Sequence, residues 1–236
     1  MPNLPRGPGP QGYDVQVPFL TPAATSSDAL RSDTVPPVRV EDIATHPDFV
    51  ALSRVRGVQH DLRYGGSNNF AGRSLYGSLD CAWLRAEAAA GLQAAAQWLA
   101  AQRPGWTLLV LDALRPQRVQ EAIWQDVEGT PMAMYFAHPG RGSIHSYGMA
   151  VDVTLRGPDG AEADMGSGFD EMSTRSHPAL HAQHLASGVL STAQVAARDL
   201  LRQAMAHGGF DGISTEWWHF DHGHRTRVRH EFPRVL

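Results

Sequence analysis

Two short segments constrain this chain more than any other feature. Ser143, His145 and Asp152 fall within residues 143–152, and Glu216 and His219 fall within residues 216–219. Together they supply two imidazoles and a carboxylate able to hold one metal ion. They also supply a spare carboxylate, Glu216, three residues before the second histidine. Three protein ligands plus an open position is the pattern of a catalytic zinc. A neighbouring Glu suits the task of taking a proton from water held there. If the two segments share one ion, the fold must bring them to a single point.

Local spacing sets conditions on that meeting. His145 and Asp152 lie seven residues apart, so a tight turn at Tyr147-Gly148 could join a loop histidine to a strand aspartate. Residues 149–155 alternate as a strand, with Val151, Val153 and Leu155 toward the core and Asp152 and Thr154 on the other side. The run Trp217-Trp218-His219-Phe220 favours a strand over 216–220. On a regular strand Glu216 and His219 would face opposite ways, so a bend or strand end is needed if both serve one site. Taken singly, each residue has an ordinary reading: a hydrogen-bonded loop histidine, a salt-bridged strand aspartate. The chain has 12 His. His177, His181 and His184 at helix-like spacing, and His222 and His224, compete as metal candidates and read as solvated.

The rest of the chain reads as one domain with an appendage. Residues 1–38 are rich in Pro, Gly, Ser and Thr, which predicts a poorly ordered N-terminal extension. Residues 39–236 form the expected folded domain. Helices are predicted over 84–102, ended by Pro104-Gly105, from Pro116 to about Val127, and from an N-cap at Ser191 to Ala206, ended by Gly208-Gly209. Residues 106–111 read as a buried strand. Residues 156–190 form a long stretch with turns, one at Gly157-Pro158-Asp159-Gly160, and loops of that length are uncommon unless functional. Strands and helices mix without βαβ regularity, which indicates α+β.

Composition excludes several function classes. A net charge of −4 and a pI near 6.3 give no reason to expect a nucleic-acid partner. Arg225, Arg227 and Arg229 near the C-terminus read as a solvated edge. The single cysteine, Cys81, forms no internal disulfide and reads as a small buried hydrophobe. There is no apolar leader and no run of about 18 apolar residues, so a cytoplasmic protein without membrane association is expected.

The pattern Ser-x-His-x-x-Gly-x-x-x-Asp at 143–152 with Glu-Trp-Trp-His at 216–219 resembles the D-alanyl-D-alanine dipeptidases, a family of zinc peptidases. Further segments follow in the family's order. Leu62-Arg63-Tyr64 with Asn69-Phe70, and then Leu75-Tyr76-Gly77, are similar to its N-terminal part. Asp112-Ala113-Leu114-Arg115-Pro116 is similar to its Asp-Gly-Tyr-Arg-Pro segment. Met165-Gly166-Ser167-Gly168-Phe169-Asp170 resembles its Met-Gly-Ser/Thr-x-Phe-Asp segment. The resemblance spans about Leu62 to Phe220.

It implies one zinc ion per chain, held by His145, Asp152 and His219. It makes Glu216 the general base and acid, and Arg115 the group that stabilises the tetrahedral oxyanion. Asp170, Ser143 and Tyr64 would line the dipeptide site, with Asp170 facing the substrate ammonium and Asp112 standing behind the site near Arg115. The implied fold is the small α+β fold shared by D,D-peptidases and the hedgehog signalling domain, a central antiparallel sheet flanked by helices. Family members are typically cytoplasmic and often homodimeric.

Physical chemistry leaves alternatives beside these roles. Arg115 also reads as a capping salt bridge ahead of the Pro116 helix, Asp170 as a turn residue, Tyr64 as core packing and Ser143 as a turn former. Tyr147 stands where the family commonly has Arg, and Ala113-Leu114 where it has Gly-Tyr, changes that bear on pocket size and charge. The long stretch 156–190 and the segment from Tyr64 to Phe70 are expected to wall the pocket. The expected reaction is hydrolysis of the free D-Ala-D-Ala dipeptide, in cell-wall turnover or glycopeptide resistance. The alternatives are a zinc D,D- or L,D-carboxypeptidase acting on peptidoglycan peptides, and a non-catalytic zinc-binding module of the same fold.

Overall fold

The computed structural model describes residues 37–236. The expected N-terminal extension therefore lies almost wholly outside the described residues. Just inside them, Val38 is buried and bridges Val235, so the two ends of the described chain lie side by side.

The elements run in the order β1 (Phe49–Ala51), β2 (Val58–His60), β3 (Trp83–Arg85), α1 (Ala86–Gln102), β4 (Thr107–Asp112), α2 (Gln117–Val127), β5 (Ala150–Arg156), α3 (His181–Ala186), α4 (Thr192–His207), β6 (Phe210–Gly212), β7 (His219–His222) and α5 (Arg225–Glu231). Strands β1 and β3 form a small antiparallel pair. The other five form one central sheet in the order β2-β4-β5-β7-β6. Three of its ladders are antiparallel; the edge pairing β2–β4 is parallel, because the chain crosses through α1 between those strands. The α+β class follows from this arrangement.

Local sequence explains the long helices. α1 is built largely from Ala, which loses no side-chain entropy in a helix. It buries Ala88, Ala89, Leu92, Ala95, Ala96 and Leu99 at helical spacing. α4 opens on a capping box between Ser191 and Gln194. The two helices meet backbone to backbone: a Cβ on Gly91 would run into the Gly208 carbonyl. Leu92 and Leu99 of α1, Leu201 of α4, Leu108 and Val110 of β4, and Val151, Val153 and Leu155 of β5 share the main core. Cys81 is buried in a second core beneath α2, as expected.

Two expectations need correction. The last strand does not span 216–220; it begins at His219, and 216–218 form a bend. The cause is that Trp217 and Trp218, adjacent in sequence, are both buried, one ring edge-on to the other at 5.4 Å. A straight strand would send one of them out of the core. The stretch 156–190 is also less irregular than expected. It contains α3 and two short 3₁₀ turns, and it opens with the predicted turn, closed by Gly157 N–H to the Ala161 carbonyl at 2.8 Å. Among the described residues no helix is long and apolar enough to cross a membrane.

Sheet register positions the site. Asp112 on β4 pairs with Asp152 on β5, and Asp152 pairs with His219 on β7. A bulge between Val110 and Asp112 re-aims the end of β4, as bulges beside functional sites commonly do. Three polar residues thus form a row across three neighbouring strands.

Candidate active site

His145 joins the row from a 3₁₀ turn, Ile144–Tyr147, that immediately precedes β5. Gly148 closes that turn in the left-handed region at φ 69°, which lets the chain double back so that His145 meets Asp152. His145 Nε2 lies 3.1 Å from His219 Nδ1 and 3.4 Å from Asp152 Oδ1, and His219 Nδ1 lies 3.0 Å from Asp152 Oδ1. For tetrahedral zinc with bonds of about 2.0–2.1 Å, ligand atoms stand about 3.3 Å apart. The triangle has that size.

The chemistry of these atoms matches its geometry. His145 Nδ1 lies 2.7 Å from the Ala113 carbonyl, which can only accept, so that nitrogen carries the hydrogen. His219 Nε2 lies 2.9 Å from Asp221 Oδ1. Burial would push the Asp221 carboxyl up, but His219 and Arg225 pull it down to about 2, so it too only accepts. The remaining atoms, His145 Nε2, His219 Nδ1 and Asp152 Oδ1, are lone-pair donors aimed at one another. Such an arrangement requires positive charge at its centre. Without a metal, a second proton on His219 can supply it. Burial pulls the His219 pKa down, but Asp221 and Asp152 outweigh burial and hold it well above the ordinary histidine value. A divalent cation would take that proton's place. The residues present therefore fit a zinc ion, and each imidazole has the outer partner that fixes a ligand's tautomer.

A cavity of about 230 Å³ opens on the triangle. It is lined by all three of those residues and by Tyr64, Arg115, Ser143, Asp170 and Glu216, so one space gathers every candidate from the sequence except Asp112. Asp112 sits behind it, fully buried. Its Oδ2 accepts from Arg115 Nε at 3.0 Å and Nη2 at 2.6 Å, and its Oδ1 accepts from the Ala113 N–H at 2.9 Å and from the Tyr76 hydroxyl. Arg115 is thus the salt-bridged residue that its place ahead of α2 suggests, and it also lines the cavity. Gln120 Oε1 accepts from its Nη1 at 3.1 Å, its guanidinium lies over the Tyr64 ring at 4.8 Å, and Asp152 Oδ2 stands 3.6 Å from Nη2.

Glu216 projects from the bend before β7 and is 7 % exposed. The bend removes the strand-spacing objection, because Glu216 is not on the strand. Burial first, then the Asp152 and Asp221 charges, raises its carboxyl to about 7 against the pull of His219 and Arg115. No described group donates a hydrogen bond to it. Asp170 is the one described non-glycine residue at positive φ, 57°. Its Oδ2 accepts from the Phe70 N–H at 3.2 Å, and burial with the nearby Asp152 charge raises its carboxyl well above the usual range. Tyr64 belongs to an aromatic cluster with Phe70, Tyr76 and Phe169, as its core-packing reading expects, and also lines the cavity. Ser143 caps no N–H with its side chain and faces the cavity.

Other expectations fare differently. Tyr147, Ala113 and Leu114 are buried and line no part of the cavity; the Tyr147 hydroxyl instead accepts from Arg234 Nε at 2.9 Å. The competing histidines stay outside the metal triangle, which is the one such cluster among the described residues. They are not simply solvated, however: His184 and one nitrogen of His222 are buried. Arg225 and Arg229 are not a plain solvated edge either. Both line the cavity, while Arg227 pairs with Glu87 and Glu231. The walls include Asp170 and Met172 from the long stretch and Tyr64 from the expected loop, but also Met134, Tyr135, Phe136 and Ala137, which sequence reasoning missed. It also missed Asp221. The signal was present: His219 and Asp221 are two apart on a strand, hence on one face.

Residues 46–235 match the family described as D-ala-D-ala dipeptidase. The D-alanyl-D-alanine dipeptidase of Escherichia coli K12 is 40% identical over 161 residues, covering 68% of this chain and 77% of that protein. The D-alanyl-D-alanine dipeptidase of Enterococcus faecium is 33% identical over 186 residues, covering 70% and 86%. That of Streptomyces coelicolor is 32% identical over 190 residues, covering 73% and 90%.

Proposed function

The chain belongs to the D-Ala-D-Ala dipeptidase family and is a peptidase, and from that premise we propose that it hydrolyses the free D-Ala-D-Ala dipeptide with zinc held by His145, Asp152 and His219. One observation carries the reading: three lone-pair atoms 3.0–3.4 Å apart face one another, and Glu216 shares their cavity. Zinc bound there would polarise the scissile carbonyl and make water a stronger nucleophile at neutral pH.

The protein's own groups do the rest. Glu216 takes a proton from the attacking water and hands it to the leaving amine nitrogen. Burial raises the affinity of the Glu216 carboxylate for a proton, which favours its taking one from water and passing it on. Arg115 stays cationic, and its bonds to Asp112 and Gln120 fix its guanidinium before substrate arrives. Charge develops on the carbonyl oxygen in the transition state, so a cation fixed in advance stabilises that state without reorganising. Asp170 pairs with the substrate ammonium, which selects a free N-terminus. The confined volume, walled by Tyr135 and Phe136, excludes longer chains.

The test is hydrolysis of D-Ala-D-Ala by the zinc-loaded protein beside L-Ala-L-Ala and N-acetyl-D-Ala-D-Ala. Cleavage confined to the free D,D-dipeptide is expected. Equal cleavage of the acetylated form would remove the ammonium role of Asp170. No cleavage of any, with one zinc bound per chain, would overturn the activity.

A further inference from the structure

The cavity that holds Asp170 and Glu216 also carries three guanidinium groups, those of Arg141, Arg225 and Arg229. They come from two places in the chain. Arg141 precedes the metal-side turn, and Arg225 and Arg229 stand one turn apart on α5. Arg229 donates to the Gly142 carbonyl from Nε at 3.3 Å and Nη2 at 3.2 Å, which fixes α5 against the residue before Ser143. Arg225 Nε bonds Asp221 Oδ2 at 2.5 Å. Arg141 has no acidic partner within ion-pair distance among the described residues. Asp221, the carboxylate these cations share the cavity with on β7, is already divided between Arg225 and His219.

Like charges gathered at one mouth oppose one another. Burial lowers the Arg229 pKa, and Arg141 and Arg225 lower it further. Such a cluster is stabilised by an anion, and guanidinium forks match a carboxylate in shape and charge. The two kinds of charge hang from different parts of the cavity wall. Asp170 is held by the Phe70 N–H, and Tyr64 lies under Arg115. The arginines are held elsewhere: Arg225 by Asp221 on β7, and Arg229 by the Gly142 carbonyl just before the turn that carries His145. One cavity therefore offers a carboxylate for an ammonium and guanidinium groups for a carboxylate, together with the metal triangle.

We propose that Arg141, Arg225 and Arg229 form a subsite for the carboxylate of the substrate's C-terminal residue, so that the cavity reads both charged ends of a free dipeptide. The proposal rests on the dipeptidase reading above. It extends the exclusion of longer chains: a peptide continued at its C-terminus loses the charge that this subsite binds.

The experiment compares D-Ala-D-Ala with its C-terminal amide, using the zinc-loaded wild type and Arg141→Ala. Arg141 is exposed and holds no part of the fold, so the variant should fold and keep its zinc. Charge-assisted hydrogen bonds of this kind are worth about 10–100-fold in affinity. The amide should be cleaved by wild type with kcat/KM lower by at least about tenfold. Arg141→Ala should raise KM for the free acid about tenfold with kcat within about twofold, and should leave the amide's kcat/KM unchanged. Equal cleavage of amide and acid by wild type would overturn the proposal while leaving the dipeptidase reading intact. So would an unchanged KM in Arg141→Ala. Failure to cleave either substrate would overturn both.

Discussion

The metal triangle and the Asp170 wall face the same cavity but are held in different ways. The triangle stands on β5, β7 and one tight turn, and every nitrogen not aimed at the centre is committed to a fixed acceptor. Asp170 stands on an irregular segment at φ 57°. That segment is gathered by one guanidinium from α4. Arg198 donates to the Met165 carbonyl at 2.6 Å, the Ser167 hydroxyl at 3.0 Å and the Arg175 carbonyl at 3.0 Å. The Trp217 indole donates to the same Ser167 hydroxyl at 3.0 Å, so the segment is tied to the bend that carries Glu216. Arg198 is 3 % exposed and has no acidic partner within ion-pair distance among the described residues. Burial and the Arg175 charge lower its pKa to about 10. On the proposed reading, chemistry is placed on the sheet, and substrate selection on a loop gathered by a buried cation among neutral acceptors. The difference predicts that damage to the two regions will separate kinetically.

The largest effect is expected within the triangle's own neighbourhood. Asp152→Ala should lose the metal and the activity together. Glu216→Gln should lower kcat by about 10²–10⁴-fold, the usual contribution of a general base, while keeping one zinc per chain by metal analysis. Zinc loss in Glu216→Gln would make Glu216 a ligand and erase the distinction between base and metal shell.

Damage on the loop side should be smaller and should fall on KM. Asp170→Asn should raise KM for the free dipeptide by about 10–100-fold, the worth of a charge-assisted hydrogen bond, with zinc content unchanged. A pure loss of kcat there would place Asp170 in the chemical step. Arg198→Ala should follow with a rise of about tenfold or less, because it acts through the segment and not on substrate. Arg198→Lys should restore only part of this, since one ammonium cannot span three acceptors set for a planar fork. If Arg198→Ala lost zinc as readily as activity, the two regions would not be independent.

The same contrast explains what the sequence made legible. Alternation in 149–155 placed Asp152 on the face away from the main core, and Gly148 marked the turn that returns His145 to it. Both are local signals, and the structure has them. The helices at α1, α2 and α4 were readable from Ala content, Pro116 and the Ser191 cap. Glu216 was ambiguous because the bend at 216–218 is caused by burying two adjacent tryptophans, a tertiary demand with no local mark. Arg198 looks in sequence like any surface residue of an amphipathic helix. Its role depends on carbonyls from residues 165 and 175, which only the fold brings to it. Arg225 and Arg229 read as an exposed C-terminal edge for the same reason: the cavity they line is assembled from distant segments.

The smallest predicted effect tests the comparison without touching any reacting group. A Cβ at Gly148 would come within 2.8 Å of the Phe49 ring and 3.2 Å of the Arg85 nitrogen, at a φ of +69° that L-residues avoid. Gly148→Ala should therefore destabilise the protein by about 1–3 kcal/mol, a fall in Tm of about 2–4 °C for each kcal/mol in a chain of this size. A Cβ at Gly168, two residues before Asp170, would meet nothing within 4 Å, and its φ is not in the left-handed region. Gly168→Ala should keep the bond from its N–H to Glu171 Oε2 at 3.1 Å and leave Tm within about 1 °C. Thermal melts of the two variants decide the matter. A large loss at Gly168 would mean that the loop is packed as tightly as the metal-side turn. In that case Arg198 would be one contact among many and not the residue that gathers it.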